Sequence, residues 1–138
     1  MDPYLEKLNI SGMSLMIFHH GELIFQSAEK GIKPHLDAFR ELGDKLHGTI
    51  MVDKIVGRAA AFLIVHARAA EVHAVVLSKP GMEVLEQYAV PYVKETLVDH
   101  VLTVDGQIYC PFESMVQGID NVDKAYEAII NKMKSMVG

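Results

Sequence analysis

Residues 110–113 read CPFE and combine a thiol with a carboxylate at the start of a predicted helix. Pro111 suits the first helical position and Glu113 the third, so Cys110 takes the cap position of a capping box. Cysteine is a poor cap, but a helix N-terminus stabilises a thiolate. Cys110 is therefore a candidate nucleophile, with Glu113 as a proton carrier, although the like charge of Glu113 favours the thiol. The alternative is an inert, partly buried cysteine.

The segment DKIVGR at 53–58 follows a predicted strand and opens a predicted helix. We interpret Asp53 as the helix cap and expect Lys54, Gly57 and Arg58 in the first turns. A helix N-terminus with two cations suits a phosphate or a carboxylate. Arg58 interrupts an apolar helix and needs an anionic partner, either internal or bound. The alternative is ordinary capping, close packing at Gly57 and a solvated Lys54.

The segment SKPGM at 78–82 follows a second predicted strand. Ser78 can donate a hydrogen bond to an anion, Lys79 can neutralise it, and Gly81 lets a ligand approach the backbone. The alternative is a plain Ser-Pro helix start with an exposed lysine. Since the carboxyl ends of parallel strands meet at one edge of a sheet, we expect all three segments to converge on one cleft.

The seven histidines show no spacing typical of metal ligands. His19 and His20 are adjacent on a predicted strand and should point to opposite faces. The remaining five are scattered, and each is interpreted as a capping or surface residue: His35, His47, His66, His73 and His100. We therefore predict no metal site and no cofactor.

Composition indicates a globular chain, which we interpret as one domain over residues 1–138. Half of the residues are hydrophobic and 22% are charged. The net charge of −5 argues against general nucleic-acid binding, which needs a basic surface. No apolar run is long enough to span a membrane, and no secretory leader pattern is present. One cysteine cannot form an internal disulfide, so we expect a cytoplasmic location.

Local patterns predict a hairpin followed by alternating strands and helices. Asp2 and Pro3 predict a short opening helix, and His20-Gly21 joins the two strands of the hairpin. The other predicted strands are 49–52, 72–77 and 91–98. The other predicted helices are 34–47, 54–68, 80–89 and 110–118, and the segment 119–138 closes the chain with an amphipathic helix that Asp120 can cap. This alternation predicts right-handed crossovers and a mostly parallel sheet.

Three stretches together, VDKIVGRAAAFL, SKPGMEVL and CPFE, resemble a family of uncharacterised prokaryotic proteins of the cytidine deaminase-like fold. The resemblance implies a three-layer α/β/α sandwich with a mixed sheet. Its N-terminal antiparallel hairpin would be joined to a parallel βαβαβ unit. The family brings no established activity, and the predicted helix at 34–47 departs from the simple deaminase order.

Zinc deaminases carry His-x-Glu at the start of one crossover helix and Pro-Cys-x-x-Cys at the next. The corresponding frames here read Val56-Gly57-Arg58-Ala59-Ala60 and Pro80-Gly81-Met82-Glu83-Val84. None of the three expected zinc ligands is present, so we predict that zinc-dependent deaminase activity is absent.

Three functions fit these observations. The first is a non-catalytic domain whose cleft binds a small anionic or nucleotide-like molecule through the segments at 53–58 and 78–82. The alternative is a metal-free enzyme with Cys110 as nucleophile, assisted by Glu113, Lys54 or Lys79. The second alternative is a structural domain whose apolar helices form a homo-oligomer interface.

Overall fold

The computed structural model describes residues 2–101 and 111–137. A five-stranded sheet has the order β2-β1-β3-β4-β5. In chain order the elements are α1 (Pro3–Ser11), β1 (Leu15–His19), β2 (Glu22–Ser27), α2 (Lys33–Leu42), a short 3-10 helix (Gly43–Leu46), β3 (Ile50–Val56), α3 (Arg58–His66), β4 (Glu71–Ser78), α4 (Lys79–Gln87), β5 (Tyr92–Val98), α5 (Pro111–Val116) and α6 (Val122–Val137).

The sheet is mixed, as predicted. β1 pairs antiparallel with both β2 and β3, whereas β3, β4 and β5 are parallel. The hairpin turns at His20 and Gly21, whose φ angles of 51° and 80° are those of a primed two-residue turn. The expectation that His19 and His20 point to opposite faces of a strand was wrong. His20 lies in the turn, and the rings of His19 and His20 are 4.1 Å apart.

Helices cover both faces of the sheet, which gives the three layers. On one face α1 packs through Leu5 and Leu8 against Met16, Phe18 and Val52. The opposite face carries the larger core, to which α2 through α6 all contribute. α3 lies at the centre of this core, and every residue from 59 to 64 is buried. Its all-round apolar sequence predicts this position.

Strand β3 extends further than the predicted strand at 49–52, and the helix predicted from residue 54 begins at Arg58. Asp53 therefore does not cap a helix, and Lys54 is not in a helical turn. Asp53 is paired with Leu15 of β1 on one side and with Ala74 of β4 on the other. Backbone pairing on both sides of a central strand outweighs the local preference of Asp for a cap.

Two helix ends also differ from the predictions. The helix predicted at 34–47 ends at Leu42 and continues as a 3-10 helix, because Gly43 has a φ of 50°. The cap of α6 is Asn121, whose Oδ1 accepts hydrogen bonds from the amides of Asp123 and Lys124, and not Asp120. Across the described residues no helix is both long and apolar enough to cross a membrane.

Candidate functional site

A cavity of about 340 Å³ lies at the carboxyl end of β3, beside the N-terminus of α3. Four predicted site residues lie in its wall: Asp53, Lys54, Gly57 and Glu113. The remaining lining residues are Gly12, Met13, Ser14, Ala28, Lys30, Gly31, Ile32, Ile55, Ala60 and Val101. The cavity occupies the edge of the sheet where open α/β folds bind ligands.

Glu113 caps α3 from a distant part of the chain. Its two carboxylate oxygens accept hydrogen bonds from the amides of Arg58, at 2.9 Å, and Ala59, at 2.7 Å. A Cβ atom at Gly57 would lie 2.6 Å from Glu113 Oε1, so any larger residue there would displace this carboxylate. The N-terminus of α3 therefore already holds an internal anion.

The side chain of Arg58 in turn caps the C-terminal end of α5, the helix that carries Glu113. Its Nε donates to the carbonyl of Val116 at 2.9 Å, and its Nη2 donates to the carbonyl of Ile119. The guanidinium lies 5.1 Å from the centre of the Phe62 ring, and Glu83 is at the outer limit of an ion pair at 4.0 Å. The predicted need of Arg58 for a partner is met inside the protein, chiefly by carbonyl oxygens.

The second predicted segment serves the start of α4. Ser78 is buried, and its Oγ accepts a hydrogen bond from the amide of Gly81 at 3.0 Å. Lys79 is exposed and pairs with Asp99 at 2.9 Å. This hydrogen bond raises the pKa of Lys79 and lowers the pKa of Asp99. Neither Ser78 nor Lys79 lines the cavity.

Gly81 lies where the two helix starts meet. A Cβ atom added there would be 2.9 Å from the carbonyl oxygen of Gly57 and 3.0 Å from that of Val56. These neighbours are backbone atoms and cannot rotate away as a side chain can. In the deaminase frame this position carries the first cysteine of Pro-Cys-x-x-Cys. The close approach of α3 and α4 therefore leaves no room for a zinc-binding side chain at Gly81.

A buried histidine–aspartate pair lies beside the cavity, and sequence reasoning missed it. His35 Nε2 is 2.6 Å from Asp53 Oδ2. The two residues are only 4% and 7% exposed. His35 was expected to be a capping or surface residue, but it lies in the first turn of α2, facing β3. The one local signal was an aspartate directly after the apolar residues 50–52 of the strand.

Charge is graded across the cavity wall. Asp53 is buried and Glu113 is partly buried, whereas Lys30 and Lys54 are exposed. Cys110 lies outside the described residues. Within residues 2–101 and 111–137, no three His, Cys, Asp or Glu side chains come together as metal ligands do.

Comparisons with known proteins match this architecture. The family described as TM1506, domain of unknown function (DUF1893), matches residues 4–133. The crystal structure of a DUF1893 family protein from Thermotoga maritima has a TM-score of 0.84 and 28% identity, covering 96% of this chain and 92% of that chain. No curated protein matches.

Two more distant structures share the fold. RibD from Acinetobacter baumannii, form 2, has a TM-score of 0.51 and 15% identity, covering 60% of this chain and 28% of that chain. The apo dCMP deaminase from cyanophage S-TIM5 has a TM-score of 0.54 and 13% identity, covering 68% of this chain and 99% of that chain. The predicted cytidine deaminase-like fold is confirmed.

Proposed function

The chain belongs to the DUF1893 family, a domain of unknown function, and we propose that it is a non-zinc domain of the deaminase fold that binds a small anionic or nucleotide-like molecule. The observation that carries the proposal is the cavity beside α3, with two lysines on its exposed side. Its volume of about 340 Å³ lies within the range of small-molecule sites.

The internal contacts refine where an anion would bind. Glu113 occupies the amides at the N-terminus of α3, and Arg58 is engaged by carbonyl groups. Lys79 is paired with Asp99. We therefore propose that Lys30 and Lys54, rather than the helix N-termini, hold the anionic group of the ligand.

Nucleotides are the first ligands to test. One structure of the same fold is a dCMP deaminase, and that name indicates a nucleotide substrate for that protein. At 13% identity this likeness extends to the fold alone. A cavity with acidic groups inside and lysines outside also fits a molecule with a polar ring and a phosphate.

The test is a thermal-shift panel of nucleoside 5′-monophosphates and phosphorylated metabolites, followed by calorimetry. We expect at least one compound to bind, and we expect the double variant Lys30→Ala/Lys54→Ala to bind it about tenfold more weakly, because two charge-assisted contacts are lost. The matched control is Lys94→Ala/Lys124→Ala, which removes two exposed lysines that do not line the cavity. If no compound stabilises the protein, the proposal is wrong.

The metal-free enzyme remains a separate prediction, because its nucleophile Cys110 lies outside the described residues. Its proton carrier, Glu113, is engaged by the amides of Arg58 and Ala59. An ordinary pH profile for the reaction of Cys110 with iodoacetamide would argue against this enzyme.

The homo-oligomer prediction is tested by light scattering. A single monomeric species would exclude an obligate assembly.

A further inference from the structure

We propose that the ligand presents an amino group to Asp53, which His35 positions in the cavity wall. This inference rests on the proposed function and names the chemistry of the ligand. The molecule would carry a nitrogen donor at its inner end and an anionic group at its outer end. Asp53 would bind the ligand directly, and His35 would act through Asp53 as a positioning residue.

Stability alone does not explain a buried acid at this position. Asp53 lies on a central strand, and its neighbours on the same face are Met51 and Ile55. Burying a carboxylate is costly, and a well-packed apolar pair is often as stable as a buried ion pair or more so. Titratable groups that are buried in a cleft with a specific charged partner are found preferentially at functional sites.

The carboxylate of Asp53 has acceptor capacity to spare. Its Oδ2 is engaged by His35 at 2.6 Å. Among the described residues, the partner of Oδ1 is the amide of Ile55 at a long 3.4 Å. A carboxylate has about four acceptor positions, so Asp53 can still accept from a donor in the cavity.

The other charges of the cavity select the orientation of the ligand. Glu113 also lines the cavity, and each of its oxygens is bound to a single amide. The less exposed lining residues therefore offer two acceptor groups, whereas Lys30 and Lys54 are the exposed cations of the lining. An amino group facing Asp53 forms a charge-assisted hydrogen bond, but an acceptor in the same place is repelled.

The experiment compares matched pairs of ligands on the wild-type protein. AMP and CMP are each titrated by calorimetry against the analogue in which hydrogen replaces the exocyclic amino group. The sugar and phosphate are the same within a pair, so only the donor differs. We expect the amino member of at least one pair to bind about tenfold more tightly or better, as a hydrogen bond to a charged group predicts.

Variants then assign the preference to Asp53. We expect Asp53→Asn to bring the two affinities of a pair close together, and His35→Gln to weaken binding of the amino member more than binding of the deamino analogue. The matched control is His73→Gln, which alters a buried histidine on the other face of the sheet and should keep the wild-type ratio. If a variant does not fold, the wild-type ratio decides alone.

The outcomes separate this inference from the function on which it rests. Equal wild-type affinities within both pairs, or binding of UMP alone, would overturn the amino-group inference and leave the binding function intact. A preference that survives in folded Asp53→Asn would also overturn it. If no nucleotide or phosphorylated metabolite binds, the proposed function fails, and the inference fails with it.

Discussion

Two buried histidines lie on opposite faces of the sheet, and both contact carboxylates. His73, on β4, is 2.7 Å from Asp2 through Nδ1 and 2.5 Å from Glu71 through Nε2. Its ring also packs against Tyr4 of α1, with 5.0 Å between ring centres. His35, on the other face, contacts Asp53 at 2.6 Å.

The difference between the two groups lies in what surrounds them. Both ring nitrogens of His73 are engaged, and Asp2 also caps α1 by accepting from the amide of Leu5 at 3.0 Å. The hydrogen bonds of His73 are therefore made within the protein, and the contact with Asp2 attaches α1 to the sheet. Asp53 instead lines a cavity and keeps acceptor capacity. Similar side-chain chemistry therefore serves structure on one face and is available for a ligand on the other.

The largest effect is expected when the pair beside the cavity is broken on one side. His35→Ala leaves Asp53 buried without its partner, and the free energy of unfolding should fall by about 3–5 kcal/mol. Urea unfolding of wild type and variant measures the change. The double variant His35→Leu/Asp53→Val should recover much of the loss, because no buried charge remains. A loss in His35→Ala below about 1 kcal/mol would show that the pair is not buried as described.

On the other face of the sheet, His73→Gln should lower the free energy of unfolding by less than His35→Ala does. Glutamine can contact one of the two carboxylates but not both, so we expect a loss of about 1–3 kcal/mol. Hydrogen exchange should show faster opening of α1, which His73 helps to hold. The matched variant His35→Gln should leave the exchange of α1 as in wild type. Faster opening of α1 in both variants would mean that the two groups are not independent.

The cap supplied by Glu113 gives a smaller effect on the cavity side. Glu113→Ala removes the acceptor of the Arg58 and Ala59 amides, and we expect a loss of about 0.5–2 kcal/mol, typical of a helix cap. Glu113→Gln keeps one acceptor oxygen and should lose less in the same urea measurement. Equal losses in the two variants would indicate that packing, not capping, accounts for the effect of Glu113.

The smallest effect on stability is expected from a third histidine, His66, which packs against aromatic rings and not against carboxylates. The ring of His66 is stacked against the rings of Phe39, at 4.8 Å, and Tyr126, at 3.7 Å. Burial lowers the pKa of His66 below its usual 6.5, and the nearby Asp123 opposes this shift only in part. The unfolded chain then binds the proton more tightly, so this contribution to stability is present above pH 6.5 and is lost as the pH falls through the folded pKa.

His66→Phe keeps the stacking and removes the titrating group. We expect wild type to lose more stability than this variant between pH 7 and pH 5, as measured by urea unfolding at each pH. The same dependence in both proteins would contradict the lowered pKa of His66.

Much of the fold follows from local patterns. The structure confirms the hairpin turn at His20 and Gly21 and the helix cap at Asp2. It also confirms the burial of α3, which its apolar sequence predicts. The boundary of β3 was wrong because Asp53 and Lys54 are polar, and polarity is a local signal of a strand end. Pairing to strands on both sides of β3 outweighs that signal.

Local sequence patterns are enough to predict the order of the elements and the absence of the deaminase zinc ligands from their frames. They also predict that the helix starts after β3 and β4 lie together at one edge of the sheet. The tertiary structure decided which of those residues face a cavity and which have partners. The His35–Asp53 contact joins residues 18 apart, and the Glu113–Arg58 contact joins residues 55 apart. Periodicity reports which face of an element is buried, but contacts between side chains depend on how separate elements pack, and no local spacing encodes that.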